Sequence, residues 1–251
     1  MLGFIWNVLS LFGRPLLSTE VGPGIHVLTL RATNVVLIAE EALTLVDTGF
    51  PGSSPRIVEL VERLGRSISE LKTVVITHNH FDHVGALPEL RELASFRVAA
   101  HRAGLAGPGR EPAYPEGMRR LLRARFMSPV RRRFILSADD VDIVLEGGEV
   151  LPVLGGLEVV PTPGHTPDSI SLFSARHRLL IVGDAVQKRR QMLRPPARMV
   201  STDLAAAAES IRRMAGLGFD TLVTGHGQPF IGDGRQALLA LLERLDAGRG
   251  R

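Results

Sequence analysis

The stretch Thr73–His83, TVVITHNHFDH, decides how the chain reads. Its first five residues, TVVIT, are apolar or β-branched without alternation, the pattern of a short strand buried on both faces. The next six place His78, His80, Asp82 and His83 where that strand ends and a helix begins. Neutral imidazole is a preferred nitrogen donor for zinc at neutral pH, and carboxylates suit a second, harder position. His78 and His80 are two residues apart, so in extended backbone they point the same way and can grip one ion. Asp82 and His83 follow the bend and can face a neighbouring position. A solvated polar turn is the ordinary alternative. The whole chain has only 8 His, however, and three of them in so short a span is not a chance density.

Working outward, the same arrangement recurs at three later strand ends beside glycine. LEVVPT leads to Pro163-Gly164-His165, LLIV to Gly183-Asp184, and TLVT to Gly225-His226-Gly227. One Gly-His turn is more often structural than ligating. Four strand ends that present His or Asp along one sheet edge assemble a polynuclear site. Cys is absent, which excludes disulfides, thiolate metal sites, Fe–S clusters and a Cys nucleophile. Any metal must be held by His and carboxylates.

The rest of the 251 residues alternates short apolar strands with amphipathic helices. Gly24–Arg31, Asn34–Ala39 and Leu43–Asp47 read as a meander of strands. Ser53–Gly65 has a helical apolar spacing, with Gly65 placed to stop it. A helix from about Gly85 to Leu93 and a strand near Arg97–Ala100 complete the first half. Strands at Glu149–Leu154, Leu157–Thr162, Ser169–Phe173 and Leu179–Val182 open the second half. A helix at Leu204–Ala215, a strand at Thr221–Thr224 and a helix at Gly234–Leu245 close it. Each half runs from several strands into a strand–helix unit, which predicts an α/β fold: two sheets face to face with helices outside, a four-layer αβ/βα sandwich. Nothing marks a linker, so residues 1–251 read as one domain.

Two segments stand apart. Residues 1–18 contain LGFIWNVLSLF, too short to span a bilayer and without the basic flank of a signal peptide. A helix packed on the body is the favoured reading, and contact with a membrane surface is the alternative. Residues 103–138 begin rich in Gly and Pro and turn Arg-rich, the character of a lid or binding loop.

The formal charge is only +4, yet it is unevenly placed. Arg110–Arg133 holds eight Arg and two Glu, and Gln187–Arg198 holds five basic residues and no acid, on an otherwise acidic body. Such patches fit an anionic substrate, a lipid surface or nucleic acid, or simply solvated Arg.

With these motifs assembled, the sequence resembles the metallo-β-lactamase superfamily of metal-dependent hydrolases. The resemblance rests on THNHFDH, the later Gly-His, Gly-Asp and Gly-His turns in that order, and Val46-Asp47-Thr48-Gly49, and it spans about Gly24–Leu245. It implies the metallo-β-lactamase fold, two mixed sheets flanked by helices, with the metals in a cleft at the sheet edge. It further implies one metal on His78, His80 and His165, a second on Asp82, His83 and His226, and Asp184 bridging the two. Asp47 would orient a ligand rather than bind metal. Two Zn2+ per chain are expected, with iron or manganese as alternatives. The reaction expected is attack of a zinc-activated hydroxide on a carboxylic ester, lactone or thioester, with Asp82 also handling the proton.

Within the superfamily, the absence of Cys departs from β-lactamases with a Cys ligand. A flavin-dependent di-iron protein is disfavoured, because such proteins carry Glu where His80 stands. Thioesterases of the glyoxalase II type share all seven ligands but end in a helical segment for which this chain has too little length after His226. Lactonases also share them and use a Tyr near the substrate carbonyl. Tyr114, the sole Tyr, lies in the insertion, although an ordinary loop Tyr is the favoured reading. Phosphodiester hydrolysis and a mono-iron sulfur oxygenase on the same scaffold are the alternatives. Nucleic acid is disfavoured as a partner, because aromatics are not interleaved with the Arg. A small acyl-bearing or anionic substrate and a cytoplasmic location are expected, while the oligomeric state is open.

Overall fold

The computed structural model describes residues 17–30, 33–105 and 136–249. Tyr114, the Arg110–Arg133 patch, nearly all of the apolar N-terminal segment and most of the 103–138 insertion lie outside the described residues.

Apolar periodicity explains the layers. Strands β1 (Ser18–Gly22), β2 (Ile25–Thr29), β3 (Asn34–Ala39) and β4 (Leu43–Val46) pair antiparallel as a meander. Then β5 (Leu71–Ile76), β6 (Arg97–His101) and β7 (Ile143–Leu145) are added in parallel, giving a seven-stranded mixed sheet in sequential order. In β3 alternate residues serve opposite cores. Val35 and Leu37 pack with Ile57, Leu60 and Val61 of helix α1 (Ser54–Arg63), while Val36 and Ile38 pack toward the other sheet. A strand buried on both faces has no use for polar alternation, hence the run NVVLIA.

The second sheet has the order β14-β11-β10-β9-β8. It is built from β8 (Val150–Leu151), β9 (Leu157–Pro161), β10 (Ile170–Ser174), β11 (Leu179–Ile181) and β14 (Thr221–Val223). Only the β11–β14 pair is parallel. Leu157, Val159, Ile170, Leu172 and Ile181 meet Val27, Val36, Ile38 and Val75 between the sheets. Burying each such side chain contributes about 1.5–3 kcal/mol before entropy is counted. On the far face Val160, Leu180 and Leu222 pack with Ile211 and Met214 of α4 (Leu204–Ala215) and Leu238 and Leu241 of α5 (Gly234–Arg249). Helix, sheet, sheet, helix is the four-layer sandwich that the sequence predicts.

Several elements depart from expectation. The helix expected from about Gly85 to Leu93 is α3 (Leu87–Leu93), and a separate short helix, α2 (Phe81–Val84), precedes it. Pro88 falls in the first turn of α3, where its missing N–H costs nothing, and so it starts a new helix. Strand β1 is a largely polar edge strand, STEVG, and gives no apolar signal. Residues within Gln187–Arg198 form an unexpected hairpin, β12 (Gln187–Arg189) with β13 (Met192–Arg194). Its two-residue turn uses Arg190 at φ 57 in place of the Asn-Gly or Asp-Gly pair that marks such turns. No helix among the described residues is long and apolar enough to cross a membrane.

Candidate metal centre

Each candidate side chain leaves the carboxyl end of a strand. Strand β5 delivers His78 and His80, and α2, which begins at Phe81, turns Asp82 and His83 back toward them. β9 leads to His165, β11 to Asp184 and β14 to His226. The structure brings all seven together. His78, His80 and His165 have ligand-type atoms within 4.8 Å of one another, as do His78, His83 and Asp184, and as do Asp82, His83 and His226. Asp184 links the groups: its Oδ2 lies 3.0 Å from His226 Nε2 and 3.7 Å from His165 Nε2, and its Oδ1 is 3.7 Å from His83 Nε2. Asp82 Oδ2 is 3.7 Å from His226 Nε2 and 3.8 Å from His83 Nε2.

Asp47 orients the cluster from behind. It ends β4 in the left-handed region at φ 61, which Asp tolerates better than most residues. Its Oδ1 accepts the Thr77 backbone N–H, and its Oδ2 accepts both the Thr77 hydroxyl and His83 Nδ1–H, each at 2.8 Å. Because the Thr77 hydroxyl donates to Asp47, its lone pair is left to accept from His78 Nδ1, 3.1 Å away. Both imidazoles therefore carry their proton on Nδ1 and turn Nε2 toward the cluster. Ser201 acts alike on His165: its hydroxyl donates to Ala197 O (2.8 Å) and accepts from Nδ1 at 3.2 Å.

The residue between the first two histidines is also fixed. The Asn79 side chain donates to Gly104 O (2.8 Å) and Leu136 O (2.9 Å), and accepts from Leu136 N–H (3.0 Å). Its backbone N–H donates to Asp168 Oδ2 at 2.8 Å, a carboxyl that burial pushes up.

The electrostatics without metal describe a cation slot. Burial holds His78 and His80 well below the usual imidazole value and lowers His165 too, so these rings are neutral donors. Burial would also lower His83, but the Asp47, Asp82 and Asp184 carboxylates outweigh it and push His83 up to about 10. Burial works against ionisation of Asp184, yet His226, His83 and His165 pull it below the carboxylate range. His78 Nε2, His83 Nε2 and Asp184 Oδ1 are buried without a hydrogen-bond partner among the described residues. Buried polar atoms are rarely left so. A neutral His78 nitrogen and an ionised carboxylate converge unsatisfied, and the carboxylates that hold an extra proton on His83 would equally favour a divalent cation in its place.

Sequence reasoning gave no role to Thr77, Asn79, Asp168 or Ser201. Thr77 was visible beside His78. Ser201 is 36 residues from His165 in an irregular segment, and no spacing rule reaches it.

A His/Asp cluster at the strand ends of an αβ/βα sandwich defines a metal-dependent hydrolase. The chain belongs to the metallo-β-lactamase superfamily, whose profile matches residues 28–226. It is 35% identical over 249 residues to the probable metallo-hydrolase YflN of Bacillus subtilis, across 91% of this chain and 93% of that one. A hydroxyacylglutathione hydrolase of Rhodopseudomonas palustris is 30% identical over 135 residues, across 53% of this chain and 41% of that protein. Among solved structures, the metallo-beta-lactamase family protein TTHA1429 of Thermus thermophilus superposes with a TM-score of 0.71 at 25% identity, covering 91% of this chain and 81% of that one.

Proposed function

We propose that the chain holds two divalent ions, zinc first, and hydrolyses a carboxylic ester, lactone or thioester. His78, His80 and His165 would hold one ion and Asp82, His83 and His226 the other, with Asp184 shared. The observation that carries the reading is the reach of Asp184 to His165, His83 and His226, which span both groups. Bound divalent cations bring the pKa of water toward 7 and polarise a carbonyl, the chemistry that acyl hydrolysis needs. The chain's own contribution is preorganisation. Asp47, Thr77 and Ser201 fix the imidazole tautomers, and the ordered donors need no reorganisation during reaction. Asp82, the more exposed of the two cluster carboxylates, would hold its ion through Oδ2, the oxygen facing His226 and His83, and its other oxygen would take and return the proton. The acyl class is supported by the relative named for hydrolysing an acylglutathione, which is a thioester.

A second reading, phosphodiester hydrolysis, is favoured by one observation. Lys188, Arg189, Arg190, Arg194 and Arg198 crowd five cations and no acid into the β12–β13 hairpin and the residues after it. Clustered cations suit a phosphate. One panel decides between the readings: zinc-loaded protein assayed on an aryl ester, a lactone, an acylglutathione and bis-p-nitrophenyl phosphate, alongside metal analysis. Turnover of an acyl substrate with two zinc per chain is expected. Turnover of the phosphodiester alone, or one iron per chain with oxygen consumption, would overturn it.

A further inference from the structure

Among the seven clustered side chains His226 sits in the turn richest in glycine. It lies between Gly225 and Gly227, the latter at φ 84, and at 29% its side chain is the most exposed of the five imidazoles. Glycine on both sides gives this turn more backbone freedom than the other ligand turns have. Strand β14 has already ended at Val223. One side of the turn is held by Gly225 N–H, which donates to Gly183 O (2.6 Å) in the Asp184 turn.

The other side is held from the opposite sheet by Asn34, the first residue of β3. Its backbone N–H donates to Gly225 O at 2.7 Å. Its Nδ2 donates to Thr224 O at 2.8 Å and also to Gly227 O. Within the turn, the Thr224 hydroxyl donates to His226 O at 2.7 Å. One residue thus grips three carbonyls that bracket His226. The carboxamide has one admissible orientation, because turning it over would set Oδ1 against two carbonyl oxygens. In that orientation Oδ1 is buried with no partner among the described residues. A Val or Leu, as elsewhere on β3, would leave no such orphan. What Asn34 supplies instead is a rigid tie between the first sheet and the turn of His226.

We propose that Asn34 is the positioning residue of His226. It sets the Thr224–Gly227 turn against the sheet that carries Asp82 and His83, and so governs the affinity of the position formed by Asp82, His83 and His226. The position formed by His78, His80 and His165 is left alone, since among the described residues Asn34 makes no hydrogen bond to those residues or their turns. The inference rests on the two-ion reading above.

The test is a zinc titration of the metal-free, full-length protein against a chromophoric chelator. It compares wild type, Asn34→Asp, Asn34→Ser and Val159→Ala. Asn34→Asp keeps the shape but removes both side-chain donors. Asn34→Ser covers the case in which the new charge prevents folding. Val159, fully buried on β9, reports general destabilisation. Two equivalents are expected for wild type and for Val159→Ala. Both Asn34 variants should keep one equivalent at wild-type affinity and bind the other about 10- to 100-fold less well. Unchanged titrations, or equal weakening of both equivalents, would overturn the inference. If wild type itself takes up a single equivalent, the two-ion reading fails on that measurement alone and the role of Asn34 falls with it.

Discussion

Asp47 Oδ2 stands 2.8 Å from His83 Nδ1, with both side chains almost wholly buried. The same carboxylate holds the Thr77 hydroxyl, which in turn faces His78 Nδ1. One acid that touches no substrate-facing atom therefore fixes the tautomer of one imidazole in each candidate position. Asp47→Asn keeps the shape, but its amide can accept at only one oxygen where three donors now converge. Metal affinity should fall by about 10- to 100-fold, with little loss of secondary structure. Asp47→Ala leaves the donors of Thr77 and His83 unmatched in the interior, at about 1–3 kcal/mol each. Zinc competition titrations and urea midpoints check the pair, and an Asp47→Asn protein with wild-type affinity would contradict the assignment.

The metal-free protein should lose stability as pH falls through about 6.5. His78, His80 and His165 resist protonation when folded, whereas the unfolded chain takes up protons near the usual imidazole value of 6.5. Acid therefore favours the unfolded state. His83 has the opposite sign. Its folded value is raised to about 10, so its contribution is complete below 6.5 and is lost as pH climbs toward 10. Urea midpoints of chelator-treated protein between about pH 5 and 10 should pass through a maximum. A midpoint that stays level or rises from neutrality into acid would refute the buried-neutral assignment.

The sandwich and the cluster were legible because both follow from local patterns. The run NVVLIA announces burial on two faces, and THNHFDH packs four donors into one bend. Strand β1 and the β12–β13 hairpin were not legible: STEVG is polar because it lies at an edge, and Arg190 occupies a turn position that usually advertises itself with Asn or Gly. The supporting residues escaped for another reason. Ser201 meets His165 only after α4 and the preceding irregular segment fold over the His165 turn, where Thr202 N–H and Asp203 N–H donate to His165 O and Gly164 O at 3.0 and 2.9 Å. Contacts that tertiary packing alone creates leave no periodicity in the chain.

Ser201→Ala removes the acceptor for His165 Nδ1–H and frees that ring to change tautomer or rotate. The expected loss is about 1 kcal/mol in stability and about 10-fold or more in affinity at the position formed by His78, His80 and His165. Ser201→Thr keeps the hydroxyl and should restore most of the affinity. Nitrogen chemical shifts of the His165 ring in the metal-free protein give the tautomer directly. An unchanged tautomer in Ser201→Ala would show that Ser201 does not set it.

Gly225 is required for space rather than for conformation. A Cβ built there would lie 2.2 Å from Asp184 Oδ1 and 2.9 Å from His83 Cε1, and 3.2 Å from the Gly183 carbonyl carbon. The first two contacts are with candidate ligands, and the third is backbone that cannot swing aside. Gly225→Ala must therefore displace the shared carboxylate or push the His226 turn outward, and either movement separates Asp184 from His226. Overpacking of this kind costs about 1–3 kcal/mol, so a folded protein with a lowered melting temperature is expected. Bound zinc should drop to one equivalent or fewer, and turnover should be lost with it. Gly218→Ala, where a Cβ meets nothing within 4 Å, is the matched control and should behave as wild type. If Gly225→Ala kept two equivalents of zinc and full turnover, Asp184 could not be the shared ligand in the arrangement seen here.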